Sequence, residues 1–326
     1  MTGLLRFTTI ALGIALLVSG LPAAQAQPYP NKPIRLLVPF PAGGGTDVMA
    51  RLLGQKMSES MGQPVLIDNR PGSDTIIAAD ILAKSPADGY TILLTLDIAV
   101  TTNPFMYSRL PYDPVKDLAP VSLVATTALI IVAGPKLPAQ IKTLPELVAY
   151  AKANPGKVNY GSGAATIPIV VELLKQTTGV EMVYVPYKGA APTLQALLAG
   201  DIELGIADFF SFIPSIKQGK LRAIAVTGRT REASLPDTPT AIEAGYPNVE
   251  LGNWWGVYAP GGTPAPIIDR LNREVVRAVA LPDFAERIRA MINARISSSP
   301  SELAARQKAD AAKLGVLIKS AGLKVN

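Results

Sequence analysis

Three consecutive glycines, Gly43-Gly44-Gly45, followed by Thr46 and Asp47, are the residues of this chain best placed to do chemistry. They come after a short apolar run (Ile34, Leu36, Leu37, Val38) and before apolar residues at helical spacing, Val48, Leu52, Leu53 and Met57. Strand, glycine-rich loop, helix is an order that turns free backbone N–H groups onto one point, which suits a small anion. Glycine lets backbone approach a ligand without an intervening Cβ, and Thr46 or Asp47 is expected to cap the helix. A nucleotide-phosphate loop would end in Gly-Lys-Ser/Thr, whereas Gly45 is followed by Thr46-Asp47. A dinucleotide turn would place a third glycine at Val48. A tight turn with no ligand is the plain alternative.

A second stretch repeats the arrangement. Tyr160-Gly161-Ser162-Gly163-Ala164-Ala165-Thr166 lies between a short strand and a helix. Its third glycine position is Thr166, so the dinucleotide reading fails here too, although Glu181 stands at a suitable spacing for a ribose contact. Two such loops in two halves of one chain suggest opposite walls of a shared cleft.

The elements that position these loops alternate. Strands are expected at Ile34–Pro39, Pro64–Ile67, Thr91–Leu96, Val158–Tyr160, Met182–Val185, Ile202–Ala207 and Arg222–Thr227, with Ser122–Val132 as a strand pair. Helices are expected from the first loop to about Ser60, then at Thr75–Lys84, Leu144–Ala153, Ile167–Thr177 and Ala191–Ala199. After Trp254-Trp255-Gly256 the pattern becomes helical, with Ala265–Ala280, Pro282–Ile292 and Ser301–Ser320. The alternation predicts parallel sheets covered by helices, an α/β fold.

Composition narrows the chemistry. The 326 residues hold no cysteine and no histidine, which excludes a disulfide, a thiolate or imidazole metal site, a cysteine nucleophile and a Ser-His-Asp triad. Hydrophobic residues make up 48% and charged ones 17%, the balance of an ordered globular chain. Arg6, the apolar stretch Ile10–Val18 and Ala24-Gln25-Ala26 read as an export signal over 1–26, cleaved after Ala26, which places the mature protein in the periplasm. Losing Arg6 takes the net charge from +6 to +5, without a basic run, so no nucleic-acid partner is expected.

The ordered landmarks along the mature chain resemble one family. They are Tyr29-Pro30-x-Lys32-Pro33-Ile34-Arg35, the glycine loop with Pro39-Phe40-Pro41, Asn69-Arg70-Pro71-Gly72, Asp88-Gly89-Tyr90-Thr91, Asn103-Pro104 and Leu110-Pro111-Tyr112-Asp113. Val185-Pro186-Tyr187-Lys188-Gly189, Leu221-Arg222-Ala223, Pro236-Asp237-x-Pro239-Thr240 and Ala259-Pro260-x-Gly262-Thr263-Pro264 complete the set. Together they are similar to the Bug family of extracytoplasmic solute receptors, of the tripartite tricarboxylate transporter type. The resemblance implies a two-lobed periplasmic binding protein fold (type II-like, a Venus flytrap), each lobe an α/β sandwich, joined by two hinge crossovers. It implies lobe 1 over 27–125, lobe 2 over 126–248 and a return to lobe 1 over 249–326. It also implies a small carboxylate ligand held by backbone N–H groups and water, membrane permease subunits as partners, a monomer, no cofactor and no catalysis. An exported enzyme using Asp and Lys in the same cleft, a sensor feeding a signalling partner, and a scaffold are the alternatives.

The candidate ligand-binding residues are Phe40, Gly43, Gly44, Gly45, Thr46 and Asp47 of the first loop and Ser162, Gly163 and Thr166 of the second. Asp74, Asp97, Tyr187, Lys188 and Asp208 complete them, all near strand ends or in loops. Two stretches depart from the family pattern: Ser73-Asp74-Thr75-Ile76 replaces small residues and an asparagine, and Pro168 follows a shortened second loop. Aspartates lining the cleft would repel a tricarboxylate and favour a monocarboxylate or a zwitterion. Helix and turn capping is the other role open to them.

Overall fold

The computed structural model describes residues 29–162, 168–187, 190–289 and 294–320. The export signal and the candidates Gly163, Thr166 and Lys188 lie outside the described residues. The chain begins with β1 (Ile34–Val38), α1 (Gly45–Met61), β2 (Val65–Asn69), a single 3-10 turn (Ser73–Thr75), α2 (Ile76–Ala83) and β3 (Thr91–Leu96). Two one-turn helices, α3 (Ile98–Thr101) and α4 (Asn103–Met106), precede the long strand β4 (Leu118–Ala133). The second half alternates α5 (Leu144–Ala153), β5 (Val158–Ser162), α6 (Pro168–Thr178), β6 (Met182–Pro186), α7 (Ala190–Ala199), β7 (Leu204–Asp208), α8 (Phe209–Lys217) and β8 (Arg222–Val226). Strand β9 (Gly252–Pro260) returns, followed by α9 (Ala265–Ala280), α10 (Pro282–Arg289), β10 (Ala294–Arg295) and α11 (Pro300–Ser320).

The strands run in the order β2-β1-β3-β9-β4-β7-β5-β6, with β8 and β10 also paired to β4. β1 is parallel to β2 and β3, and β5 is parallel to β6 and β7. The all-parallel expectation needs correcting, because β9 is antiparallel to β3 and β4, and β4 is antiparallel to β7 and β8. These are the strands that carry the chain between halves, and their direction follows from the crossing, not from any local βαβ unit.

Ser122–Val132 is likewise not a strand pair but the middle of one 16-residue strand. β4 pairs with β9 as far as Ala128 and with β7 from Leu129 onward, so it leaves one group of strands and joins the other within a single residue step. Thr227 pins that step. Its N–H donates to the Leu129 carbonyl at 2.9 Å, its carbonyl accepts from Leu251 N–H at 3.0 Å, and its hydroxyl bonds Leu251 O.

Each half has its own core. Leu37, Leu82, Leu93, Trp254 and Tyr258 pack with Leu303 in the first. Ile131, Leu147, Val170, Leu174 and Ile206 pack in the second, together with Leu314, Leu317 and Ile318. Helix α11 is therefore anchored at its start in the first core and near its end in the second.

Candidate functional site

The first glycine loop is built as the strand–loop–helix order requires, with one reassignment. Gly44 is the helix N-cap and has no side-chain cap bond, so Thr46 and Asp47 sit inside the first turn of α1 instead of capping it. Gly43 takes φ +85°, a left-handed conformation that glycine adopts without strain. The Asp47 carboxylate, 2% exposed, turns back on the loop. It accepts Gly43 N–H at 2.8 Å, the Asn69 amide at 2.9 Å and Arg51 Nε at 2.9 Å. Burial pushes this carboxyl up, but the bonds from Arg51, Gly43 and Asn69 outweigh it and hold it below the usual carboxylate range.

The same Asn69 amide donates to Phe40 O at 3.0 Å, and Phe40 itself is half-buried. Trp255 Nε1 donates to Thr46 Oγ1 at 2.9 Å, tying the first turn of α1 to β9. The N–H groups of Gly45, Thr46 and Asp47 in that turn have no i−4 carbonyl to bond, an arrangement that suits an anion.

Beside this loop, at the same ends of β1 and β2, lies the turn 73–75. Ser73, Asp74 and Thr75 take φ +47°, +47° and +76°, three successive non-glycine residues in left-handed backbone. Such conformations cost about 1–3 kcal/mol each and persist only where surrounding contacts impose them. Here Asn103 Nδ2 donates to Asp74 O at 2.8 Å and the Tyr107 hydroxyl donates to Asp74 Oδ2 at 2.7 Å. Desolvation, then the neighbouring Asp74, raises the Tyr107 hydroxyl to about 12, so it stays a donor. Asp74 is exposed, whereas the Thr75 hydroxyl is buried without a partner.

Asp97, expected to face a ligand, is buried instead. It is 4% exposed and accepts Trp254 N–H at 3.4 Å, while its own N–H donates to Trp254 O. Burial raises its carboxyl to about 8, against the opposing pull of the Trp254 N–H. The reason is tertiary: β9 lays Trp254 across the end of β3. On its other side, Trp254 Nε1 donates to Asp310 Oδ2 at 2.8 Å.

In the second half, β5 ends at Ser162, fully buried, with its hydroxyl 3.3 Å from the Tyr184 hydroxyl. The Tyr187 ring lies over Gly161, where an added Cβ would meet Ile202 Cδ1 at 2.5 Å and Tyr187 Cε2 at 2.8 Å. Gly161→Ala is therefore expected to displace that ring and destabilise the protein by about 1–3 kcal/mol. A melting curve would show this, and an unchanged transition would mean that the ring is not packed there. Asp208 ends β7 with its backbone in register with Leu129, beside the crossover; its side chain lies outside the described set.

Phe40 and Gly43 to Asp47 follow β1, and Asp74 follows the neighbouring parallel strand β2, at the same ends of these strands. Asn69, Arg51, Asn103 and Tyr107 hold those residues, and none of the four was singled out by the sequence reading. Asn69 and Asn103 do belong to the Asn-Arg-Pro-Gly and Asn-Pro landmarks, which was the signal available. A separate hollow of about 300 Å³ beside the middle of β4 is lined by Arg229, Arg231 and Arg306, but each already pairs with a carboxylate, Glu250, Glu243 and Asp310. Among the described residues no group of three acidic or metal-ligating side chains could hold a metal. No described helix is long and apolar enough to cross a membrane.

Comparison with known proteins places this geometry in context. Residues 49–323 match the family model described as the tripartite tricarboxylate transporter family receptor. BugT of Bordetella pertussis (strain Tohama I) is 38% identical over 272 residues, 82% of this chain and 83% of its own. An R. palustris protein solved with adipate superposes with a TM-score of 0.75 at 36% identity, covering 90% of this chain and 98% of that one. The periplasmic binding protein BugD superposes with a TM-score of 0.72 at 32% identity, covering 91% and 99%.

Proposed function

Because this chain belongs to the tripartite tricarboxylate transporter receptor family, we propose that it captures a small carboxylate between its two lobes. It then delivers the solute to membrane permease subunits of a transporter of that type. Relatives with this fold are solute-binding proteins and not enzymes, and they are periplasmic. In this reading the first 26 residues are removed on export and the receptor works as a monomer. Its lobes meet near residues 125 and 249.

The observation that carries the reading is the first turn of α1. Its loop is exposed and its N–H groups lack intrahelical partners. The carboxylate within that turn, Asp47, is turned inward to brace the loop and not outward to repel an anion. A helix N-terminus stabilises a carboxylate without a formal cation, and bridging waters complete its bonding. The adipate complex of the R. palustris relative supports carboxylates as the ligand class. On the opposite wall, Ser162, Gly163, Thr166, Tyr187, Lys188 and Asp208 are proposed to meet the solute when the lobes close. Closure follows from the ligand's greater affinity for the closed form.

Thermal unfolding against a panel of mono-, di- and tricarboxylates and amino acids tests this. A ligand at 100 times its dissociation constant should stabilise the native state by about 2.7 kcal/mol, seen as a shifted transition. Absence of a shift with every acid would remove the proposal.

A further inference from the structure

Within that receptor reading, on which it rests, we infer that Asp74 selects solutes that carry a cationic nitrogen as well as a carboxylate. Zwitterions such as amino acids would then be preferred over acids with a second carboxylate. Of the three aspartates in lobe 1 expected near the cleft, Asp47 is consumed by Gly43, Arg51 and Asn69, and Asp97 is buried behind Trp254. Asp74 is the one of the three that is exposed.

Its surroundings hold it in place without neutralising it. Tyr107 donates to Oδ2 and Asn103 to the backbone carbonyl, and among the described residues no lysine or arginine forms an ion pair with it. The carboxylate is thus oriented by neutral donors and has no cationic partner among the described residues. Next to it the Thr75 hydroxyl is buried and has no protein partner.

Position completes the argument. β1 and β2 are in parallel register with Val38 opposite Asn69, and the Asn69 side chain reaches Phe40 and Asp47 of the glycine loop. Five residues beyond Asn69 the chain presents Asp74. One edge of lobe 1 therefore offers backbone N–H donors for a carboxylate and, on the adjoining turn, an acceptor for an ammonium. A second carboxylate at the same place would face a like charge in a site that closure dries, which weakens binding.

A merely structural Asp74 would balance the N-terminus of α2 and tether Tyr107. Asp74→Asn separates the two roles, since the amide oxygen still accepts from Tyr107 while the charge is gone. Calorimetric titration of the full mature chain would use matched pairs: aspartate against malate, alanine against lactate, 6-aminohexanoate against adipate. The wild type should bind the amino member of its best pair more tightly. In Asp74→Asn that preference should fall by about tenfold, with the hydroxy or dicarboxylate member bound as well as before or better.

Tyr107→Phe, which leaves the charge, should keep the preference. A wild type that prefers the hydroxy or dicarboxylate members, or a preference unchanged in Asp74→Asn, overturns the inference and leaves the receptor reading standing. No binding of any pair member overturns both.

Discussion

Replacing Asp47 by alanine should cost this protein both affinity and stability. The carboxylate is the common acceptor for Gly43 N–H, the Asn69 amide and Arg51, and it is nearly inaccessible to solvent. Its removal strands one backbone donor and one amide, at about 1–3 kcal/mol for each group left unsatisfied. Arg51 is more than half exposed and contributes little to that loss. A net destabilisation of about 3 kcal/mol is expected, read as a transition lowered by several degrees.

Affinity should fall by about 10- to 100-fold, because the donors of the first turn lose the brace that aims them. Asp47→Asn, which keeps one acceptor oxygen, should fall between. A titration showing unchanged affinity in Asp47→Ala would mean that loop geometry does not govern binding. The stabilising share of Asp47 has a definite pH window. Its folded carboxyl lies below the ordinary value of 3.8, so the contribution is present above that value and is lost as pH falls through the folded one.

Asp97→Asn should do the opposite and stabilise the protein, increasingly so toward alkaline pH. Burial raises the Asp97 carboxyl from 3.8 to about 8, so between these values the native state holds a proton that the unfolded chain has released. Stability then declines with rising pH through this window, by up to about 5 kcal/mol across it, and levels off above it. Below pH 4 both states are protonated and the residue makes no difference. Asparagine keeps an oxygen for the Trp254 N–H and removes the titration, so wild-type and variant stabilities should agree near pH 4 and separate by several kcal/mol at pH 8. Denaturant unfolding at a series of pH values checks this; parallel curves would show that Asp97 does not titrate in that range.

These two aspartates also show what could be read from the sequence. The glycine loop was legible because its signal is local: an apolar strand, glycines, then apolar residues at helical spacing within some 25 positions. Most helices and parallel strands were legible for the same reason. The direction of Asp47 was not, since its partner Asn69 lies 22 residues away and nothing local forbids an outward carboxylate. Asp97 looked like a cleft residue because it ends a strand, and only the return of β9, 157 residues later, buries it.

Strand β4 was expected as a strand pair over Ser122–Val132, yet it runs unbroken and changes partners between Ala128 and Leu129. Helix α8 was missed, carrying Pro214 inside it. The left-handed run at Ser73, Asp74 and Thr75 has no local signal beyond Gly72, because Asn103 and Tyr107, from a later helix and its end, impose it. Motif order along the chain, by contrast, pointed to the family that residues 49–323 match.

The most direct test of the central claim is a calorimetric titration of the ligand-free mature protein with the acid that gives the largest thermal shift, followed by recovery of that acid. One carboxylate bound per chain and returned chemically unchanged is the expected result. Heat without saturation, a consumed ligand, or no heat with any carboxylate would contradict a receptor that holds its solute at the first turn of α1.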